Sequence, residues 1–375
     1  MLKEMALELA IYIITYSMLA FLCYALSKRI KNKKIASVLI IAICVIYASI
    51  RYNVGSDYDT YLKQYNHIRN YFSSVGQILS SDFQFGFNLL EFLTKTIFQN
   101  KYAIFAVVAL IVYPLKFRIL RKTSNNFSES VLLFFLLGFH VVSLNLLKQE
   151  IAMTLFLVAY YYFISSNKKI WRKVLAVAFL FIGATFHISS ILPVLIMVVA
   201  KAAKPTKLKI TIALLVSVVL AINYSRIVAS IPFFERYVRY TEDINYDYYI
   251  VIIGAIGYCL MNLLILWLLF RKRNELCEIS ERNSFIISAL ICSIPFKILG
   301  IVNFPVYRLS LYIDQLLLII IPDLLRIYKQ GNNNYRSEYA LYFAVIYLFF
   351  VFSIVFLAHN NFYTYQTIFE IEGGL

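Results

Sequence analysis

The feature that most constrains this chain is the alternation of long apolar runs with short clusters of lysine and arginine. Apolar runs of about twenty residues are long enough to cross the hydrocarbon core of a bilayer as helices. Here such runs recur along most of the 375 residues, of which 61% are hydrophobic and 15% charged. The pattern predicts an all-α, polytopic integral membrane protein.

The basic clusters predict the orientation of the spans. Lysine and arginine in short loops remain on the cytoplasmic side of a membrane. The formal net charge of +16 gathers largely in such loops, so it indicates topology and argues against a nucleic-acid partner. The clusters fall within residues 28–34, 116–122, 168–173, 201–209, 271–273 and 326–336.

Placing these clusters inside gives about twelve transmembrane helices in a single transmembrane domain, residues 1–375. Two hydrophilic stretches, about residues 51–84 and 224–249, are then outer loops. Residues 85–98 are too few for a crossing and contain two charges, so we expect a short interfacial or re-entrant helix there.

Three cations are predicted to lie on the outer side. Arg51 directly follows the apolar run 35–50, where it could cap helix carbonyls or bind a carboxylate or phosphate. Lys148 falls in the first turn of a helix that begins after a break at residues 143–145, with Asn145 as its expected cap. Arg308 follows Pro305 at another expected helix start.

Cations at helix amino ends favour a bound anion, and the outer side is where positive charge should be depleted. Their convergence therefore predicts a phosphate site, with Arg236 and Arg239 of the second outer loop as reserves. The alternative for each cation alone is an anchor that extends to the membrane interface.

His187 is the first candidate for a general base, because it lies at the expected outer apex between two spans and a neutral imidazole accepts protons. Its alternative is a packing role. Asp57 is the second candidate; it could also pair with Arg51 or, with Asp59, hold a metal. The tyrosine-rich loops offer sugar-stacking faces, although tyrosine is also common at membrane interfaces. No nucleotide, zinc or nucleophile motif occurs, so no cofactor or metal is expected.

Four short motifs in order resemble the EpsG family of bacterial exopolysaccharide and O-antigen (Wzy-type) repeat-unit polymerases. The resemblance covers roughly residues 35–325. The motifs are Arg51-x-x-x-Gly55-x-Asp57-Tyr58-x-x-Tyr61, Asn145-x-x-Lys148-Gln149-x-Ile151-Ala152, Phe186-His187-x-Ser189 and Tyr307-Arg308-x-x-x-Tyr312.

Two departures accompany this resemblance. The family usually has arginine where this chain has Lys148, which weakens bidentate phosphate binding there. The family's Glu-x-Gly before the short helix is Gln84-Phe85-Gly86 here, so an amide replaces the expected carboxylate unless Asp82 substitutes for it.

The resemblance implies a GT-C-like membrane glycosyltransferase that joins undecaprenyl-diphosphate-linked oligosaccharides on the outer face of the bacterial cytoplasmic (inner) membrane. Membrane lipid and a chain-length regulator protein are the further partners it implies, with no cofactor. In this scheme Arg51, Lys148 and Arg308 bind the diphosphate, with Arg236 or Arg239 as reserves, and His187 or Asp57 acts as base. The residues expected to orient the sugars are Gln149, Tyr58, Tyr61, Tyr307 and Tyr312.

Three other functions remain open at this stage. An O-antigen ligase uses the same chemistry, a lipid-linked oligosaccharide flippase has a similar number of spans, and a membrane O-acyltransferase also uses a histidine. Lys297, inside an apolar run, keeps the flippase in consideration.

Overall fold

The structure is a computed structural model that describes residues 2–81, 83–164, 169–202, 204–224, 226, 247–330, 340, 342–351 and 365–369. Almost all of these residues are helical, as the apolar pattern predicted. Contacts divide the chain into two compact units, residues 1–191 with 353–375 and residues 192–352.

Within the described residues, five helices are long and apolar enough to cross a membrane, and one bent helix pair would make a sixth if it forms one span. The five candidates are Ala10–Arg29, Lys33–Ile50, Ala103–Thr123, Ile252–Arg271 and Glu281–Val302. A multi-pass helical membrane protein is therefore confirmed, while the number of twelve crossings and the GT-C-like arrangement remain predictions.

The first unit contains ten α-helices, one 3-10 helix and a short strand pair among its described residues. The helices are α1 (Leu2–Arg29), α2 (Lys33–Ile50), α3 (Tyr58–Tyr71), α4 (Val75–Leu79), α5 (Phe85–Ile97), α6 (Ala103–Thr123), α7 (Phe127–Leu136), α8 (Phe139–Asn145), α9 (Leu147–Ile164) and α10 (Ile170–Phe186), with the 3-10 helix at Ile188–Ser190. Strands β1 (Arg51–Tyr52) and β2 (Gln366–Thr367) pair antiparallel, with Arg51 opposite Thr367.

The predicted outer loop 51–84 is mostly helical, because α3 and α4 lie within it. The α3 helix buries a tyrosine face: Tyr58, Tyr61 and Tyr65 join Phe87 of α5 and Phe105 of α6 in one core. The α5 helix packs against α3, α4, α6 and α10. Its 13 residues match the predicted short helix and fall below the length of a span.

The break predicted at residues 143–145 lies one residue later, at Leu146 between α8 and α9. A second interruption, which was not predicted, precedes α8. The chain bends by 58° between α7 and α8, at Leu137 and Gly138. Gly138 has φ 75°, a left-handed conformation that ends α7 at little cost for a residue without a Cβ.

The second unit contains ten helices among its described residues. Nine of these are α11 (Ile191–Ala202), α12 (Lys207–Ile222), α13 (Asp247–Arg271), α14 (Arg273–Ile279), α15 (Glu281–Cys292), α16 (Ile294–Val302), α17 (Phe304–Tyr307), α18 (Leu311–Asp314) and α19 (Leu317–Gln330). A further apolar helix, α20, spans Tyr342–Val351. The α16 helix packs against α12, α13 and α17.

Candidate functional site

Arg51 is buried between the last turn of α2 and the end of α8, with 1% of its surface exposed. Its Nη1 donates to the carbonyl of Ala48 in the last turn of α2, and its Nη2 donates to the carbonyl of Leu144 in α8 at 2.9 Å. The guanidinium lies 4.5 Å from the Phe105 ring centroid. The predicted carbonyl-capping role is confirmed, and burial lowers the pKa of Arg51, with nearby tyrosines opposing this shift.

Asn145 connects the Arg51 loop to the start of α9, but not as the predicted helix cap. The α9 helix begins at Leu147, and the Asn145 side chain turns to the loop instead. Its Oδ1 accepts from the backbone N–H of Asp57 at 3.0 Å and from the Ser56 hydroxyl at 3.4 Å. Because Asp57 is the residue before α3, Asn145 holds the beginning of that helix against the α8–α9 junction.

Lys148 lies in the first turn of α9, as predicted, and points to α3 and α5. Its Nζ donates to Gln64 Oε1 at 3.1 Å and lies 5.1 Å from the Phe87 ring centroid. Gln64 Nε2 in turn donates to Glu91 Oε2 at 2.8 Å and to Asn88 Oδ1 at 3.1 Å. A lysine and a carboxyl group from distant parts of the chain are thus joined through one amide.

Glu91 is the carboxyl group of this network, and its pKa is strongly shifted. It is fully buried, and its Oε1 has no hydrogen-bond partner in the described part of the chain. Burial raises the pKa of Glu91 to about 8, against the opposing effects of Lys148 and of the Gln64 hydrogen bond. Near neutral pH this carboxyl group is therefore mostly protonated, which is unusual for a glutamate.

His187 separates α10 from the 3-10 helix, at the position expected between two helical segments. Its ring Nδ1 lies 2.5 Å from Ser189 Oγ, which fixes the plane of the imidazole. The ring is half-buried. The motif Phe186-His187-x-Ser189 therefore places a histidine and its hydroxyl partner together, although which atom donates depends on the tautomer.

The amino end of α5 lies against this histidine segment. Gln84 Oε1 accepts from the backbone N–H of Ile188 at 3.4 Å. A Cβ added at Gly86 would lie 2.6 Å from Thr185 Oγ1, so only glycine allows this approach. The next residue, Phe87, carries Lys148 over its ring. One short helix therefore contacts both the histidine segment and the lysine network.

An open groove of about 570 Å³ lies beside the network, on the α3–α5 face. Gln64 and Asn88 form part of its wall, so the hydrogen-bonded amides are accessible from it. The full set of lining residues is Thr60, Lys63, Gln64, Ile68, Tyr71, Phe72 and Asn88.

The remaining predicted residues of the first unit are mainly buried. Tyr58 is 1% exposed, its hydroxyl donates to the Arg51 carbonyl at 3.3 Å, and its ring stacks on Phe105 at 4.5 Å. Tyr61 lies 5.6 Å from Phe87 between ring centroids, and Gln149 is buried within α9. Their positions agree with a supporting role in the core, and their predicted contact with sugars remains a prediction.

The Tyr307-Arg308 motif belongs to the second unit. Arg308 is half-buried and follows the four-residue helix α17, which has Pro305 in its first turn as predicted. Tyr307 accepts a hydrogen bond from Asn262 Nδ2 at 3.2 Å, and Tyr312 is fully buried. A Cβ at Gly300 would lie 2.7 Å from the Tyr307 Cβ, which explains the close packing of α16 and α17.

A buried ion pair lies next to this motif. Lys297 of α16 pairs with Asp314 of α18, and its Nζ also donates to Asn262 Oδ1 at 3.2 Å. Ser310 Oγ donates to the second carboxylate oxygen of Asp314 at 2.8 Å. Lys297 is thus paired with a carboxylate inside the unit, as charged residues within membrane proteins usually are.

Three of the residues named in the predictions, Asp82, Arg236 and Arg239, lie outside the described residues. Among the residues that were described, no group of three metal-ligating side chains is close enough to hold a metal ion. The pairing of Asp57 and Asp59 as metal ligands thus has no third ligand in that part of the chain.

Sequence reasoning missed Gln64, Asn88 and Glu91. A signal was present: Asn88, Glu91 and Lys95 are spaced at i, i+3 and i+7, which places them on one face of a helix. Gln64 carries no comparable signal, because its role depends on α3 docking against α5.

Comparison with known proteins agrees with the order of the motifs. A sequence model described as the EpsG family matches residues 34–367. No curated protein and no solved structure matches the chain significantly. The match spans the Arg51 loop, α5, the start of α9, His187 and Arg308. Because it covers nearly the whole of this multi-helical chain, the protein belongs to the EpsG family of polysaccharide-polymerase-type membrane proteins.

Proposed function

We propose that this protein is a surface-polysaccharide polymerase that joins undecaprenyl-diphosphate-linked oligosaccharide repeat units on the outer face of the bacterial cytoplasmic membrane. The observation that supports this most is the meeting of Lys148, the Gln64–Glu91 pair and the His187 segment around α5. Family membership supports the class of reaction.

The reaction transfers the growing glycan from its lipid diphosphate to a sugar hydroxyl of the next lipid-linked unit. The bond between the sugar C1 and the phosphate oxygen breaks, and a bond from C1 to the acceptor oxygen forms. The lipid diphosphate leaves with the bonding electron pair, and the hydroxyl proton passes to a base. The energy is carried by the phosphate ester of the donor, so no nucleotide or resident metal enters this scheme.

Lys148 is our candidate for the residue that binds the leaving diphosphate. Its ammonium belongs to the first turn of α9, where the helix dipole also favours negative charge. A cation that stabilises charge only as it develops in the transition state accelerates the chemical step. Arg308, Arg236 and Arg239 remain proposed further diphosphate ligands.

His187 is our candidate for the base. If the Nδ1–H group donates to Ser189 Oγ, the imidazole presents Nε2 as the proton acceptor, so Ser189 selects the tautomer. Asp57 stays the second candidate. Its backbone N–H donates to Asn145 Oδ1.

Arg51 acts in this proposal as a positioning residue. Its Nη1 and Nη2 donate to the carbonyls of Ala48 and Leu144, so it holds the end of α2 next to the segment that leads to Lys148. Its side chain is buried, so direct contact with the diphosphate would require a change in the structure around it.

Deletion of the gene followed by analysis of the surface glycan tests the proposal. We expect single repeat units and no ladder of longer chains. Long chains detached from their core would indicate that the protein is a ligase. Loss of both the single repeat units and the long chains would indicate a flippase. An intact ladder that lacks acyl groups would indicate an acyltransferase.

Complementation of that strain then tests the site. Lys148→Ala should lower elongation by at least about 100-fold, the usual effect of losing one group that stabilises transition-state charge. Lys272→Ala is the matched control, since Lys272 lies between α13 and α14 and pairs with the exposed Glu275. A full ladder from Lys148→Ala at normal membrane levels would remove Lys148 from the site.

A further inference from the structure

We propose that the α3–α5 groove binds the saccharide part of the lipid-linked acceptor, with Gln64 as the wall between this saccharide and the diphosphate of the donor. This inference rests on the proposed function and adds a substrate subsite to it. The groove has a volume of about 570 Å³, within the range of roughly 300–1,000 Å³ that is typical of small-ligand sites.

The lining of the groove suits sugar hydroxyls better than phosphate groups. Two amides, Gln64 and Asn88, and the Thr60 hydroxyl supply neutral hydrogen-bonding groups. Lys63 is the one cation among the residues that line it, whereas a diphosphate normally requires several. Tyr71 is 65% exposed and offers an aromatic face to the apolar side of a sugar ring.

The polar wall is held in a fixed orientation before any ligand binds. Gln64 Nε2 donates to both Glu91 Oε2 and Asn88 Oδ1, which leaves Gln64 Oε1 for Lys148. Because the Asn88 oxygen is engaged by Gln64, its Nδ2 group is left to donate to a ligand. Such preorganisation lowers the entropic cost of binding.

The same contacts explain why this groove is suited to the acceptor. Gln64 lines the groove on one side and accepts from Lys148 on the other. A saccharide in the groove would therefore lie one side chain away from the cation proposed for the leaving diphosphate. Such a position would bring the acceptor close to the donor, as attack by an acceptor hydroxyl requires.

Saccharide binding can be measured without catalysis, using the full-length protein in detergent. Tyr71→Trp places a fluorescent reporter in the groove, and the parent protein supplies the background of the chain's two native tryptophans. The probes are a single repeat unit cut from the host's own surface polysaccharide, maltotetraose and inorganic pyrophosphate. We expect a saturable change in tryptophan fluorescence when the repeat unit is added, and at most a weak change with the other two probes.

Variants of the wall give the second measurement. Asn88→Ala should raise the Kd of the repeat unit by about five- to tenfold, the effect of one lost hydrogen bond. Thr60→Val removes the hydroxyl but preserves the shape of the side chain, and it should also raise the Kd of the repeat unit. Asn70→Ala is the matched control, because Asn70 is exposed on α3 and does not line the groove.

The outcomes separate the groove from the polymerase. A change produced by pyrophosphate and not by the repeat unit would make the groove an anion site and overturn the inference, as would no response to any probe. If gene deletion abolishes the ladder of longer glycan chains while the fluorescence does not change with any probe, the polymerase function is supported and the assignment of the groove is wrong. If the ladder survives deletion, the proposed function fails whatever the titration shows.

Discussion

Gly86 of α5 approaches Thr185 of α10 so closely that an added Cβ would lie 2.6 Å from Thr185 Oγ1 and 3.0 Å from its backbone carbonyl carbon and oxygen. This contact sets the position of α5, and with it the positions of Phe87, Asn88 and Glu91. The residues proposed for diphosphate and saccharide binding thus depend on one glycine that touches neither ligand.

Gly86→Ala should therefore separate α5 from α10. The new methyl group meets backbone atoms that cannot rotate away, so we expect a loss of about 1–3 kcal/mol in the free energy of unfolding and a parallel loss of elongation. The matched control is Gly76→Ala in α4, where the nearest atom to a new Cβ lies 3.9 Å away. That variant should be neutral or slightly more stable. Equal melting temperatures for the two variants would contradict the proposed packing role of Gly86.

The buried carboxyl group of Glu91 predicts an unusual dependence of stability on pH. Its pKa is raised by burial to about 8 in the folded protein, above the value of 4.5 expected in an unfolded chain. The folded state therefore binds the proton more tightly, and stability is lost as pH rises from about 4.5 to 8. The loss from this one group amounts to at most about 1.4 kcal/mol for each pH unit.

Glu91→Gln removes this titration while preserving the shape of the side chain. The melting temperature of the variant should fall less than that of the parent between pH 5 and pH 8. Thermal unfolding in detergent at a series of pH values measures the difference. Parallel curves for the two proteins would show that Glu91 keeps an ordinary pKa.

Arg51→Ala should reduce activity mainly by destabilising the fold. It leaves the carbonyls of Ala48 and Leu144 without their donor, at a cost of about 1–3 kcal/mol for each unsatisfied group. Arg69→Ala, on the exposed side of α3, is the matched control. Inactivity of Arg51→Ala with an unchanged melting temperature would instead indicate direct contact with the diphosphate.

His187→Gln tests the proposed base. The amide keeps a polar contact to Ser189 but cannot accept the proton, so the elongation rate should fall by about 100-fold or more. The remaining rate should also lose the dependence on pH below neutrality that a histidine base confers, because no imidazole is left to be protonated. Ser189→Ala should reduce the rate less and keep that dependence. A His187→Gln variant with the parent's pH profile would exclude His187 as base.

The sequence by itself determined the membrane class, the short α5 helix and the placement of Lys148 in the first turn of α9. These features follow from local patterns: runs of apolar residues, their lengths, and the polar residues that interrupt them. The four ordered motifs were also sufficient to identify the family, which the match over residues 34–367 confirms.

Only the tertiary structure decided which of these residues meet. Asn145 was expected to cap α9, but its side chain instead accepts from the backbone N–H of Asp57, 88 residues earlier in the chain. Gln64 joins Lys148 to Glu91 only because α3 docks on α5. Such contacts depend on packing between segments far apart in the chain, which no periodicity within either segment encodes.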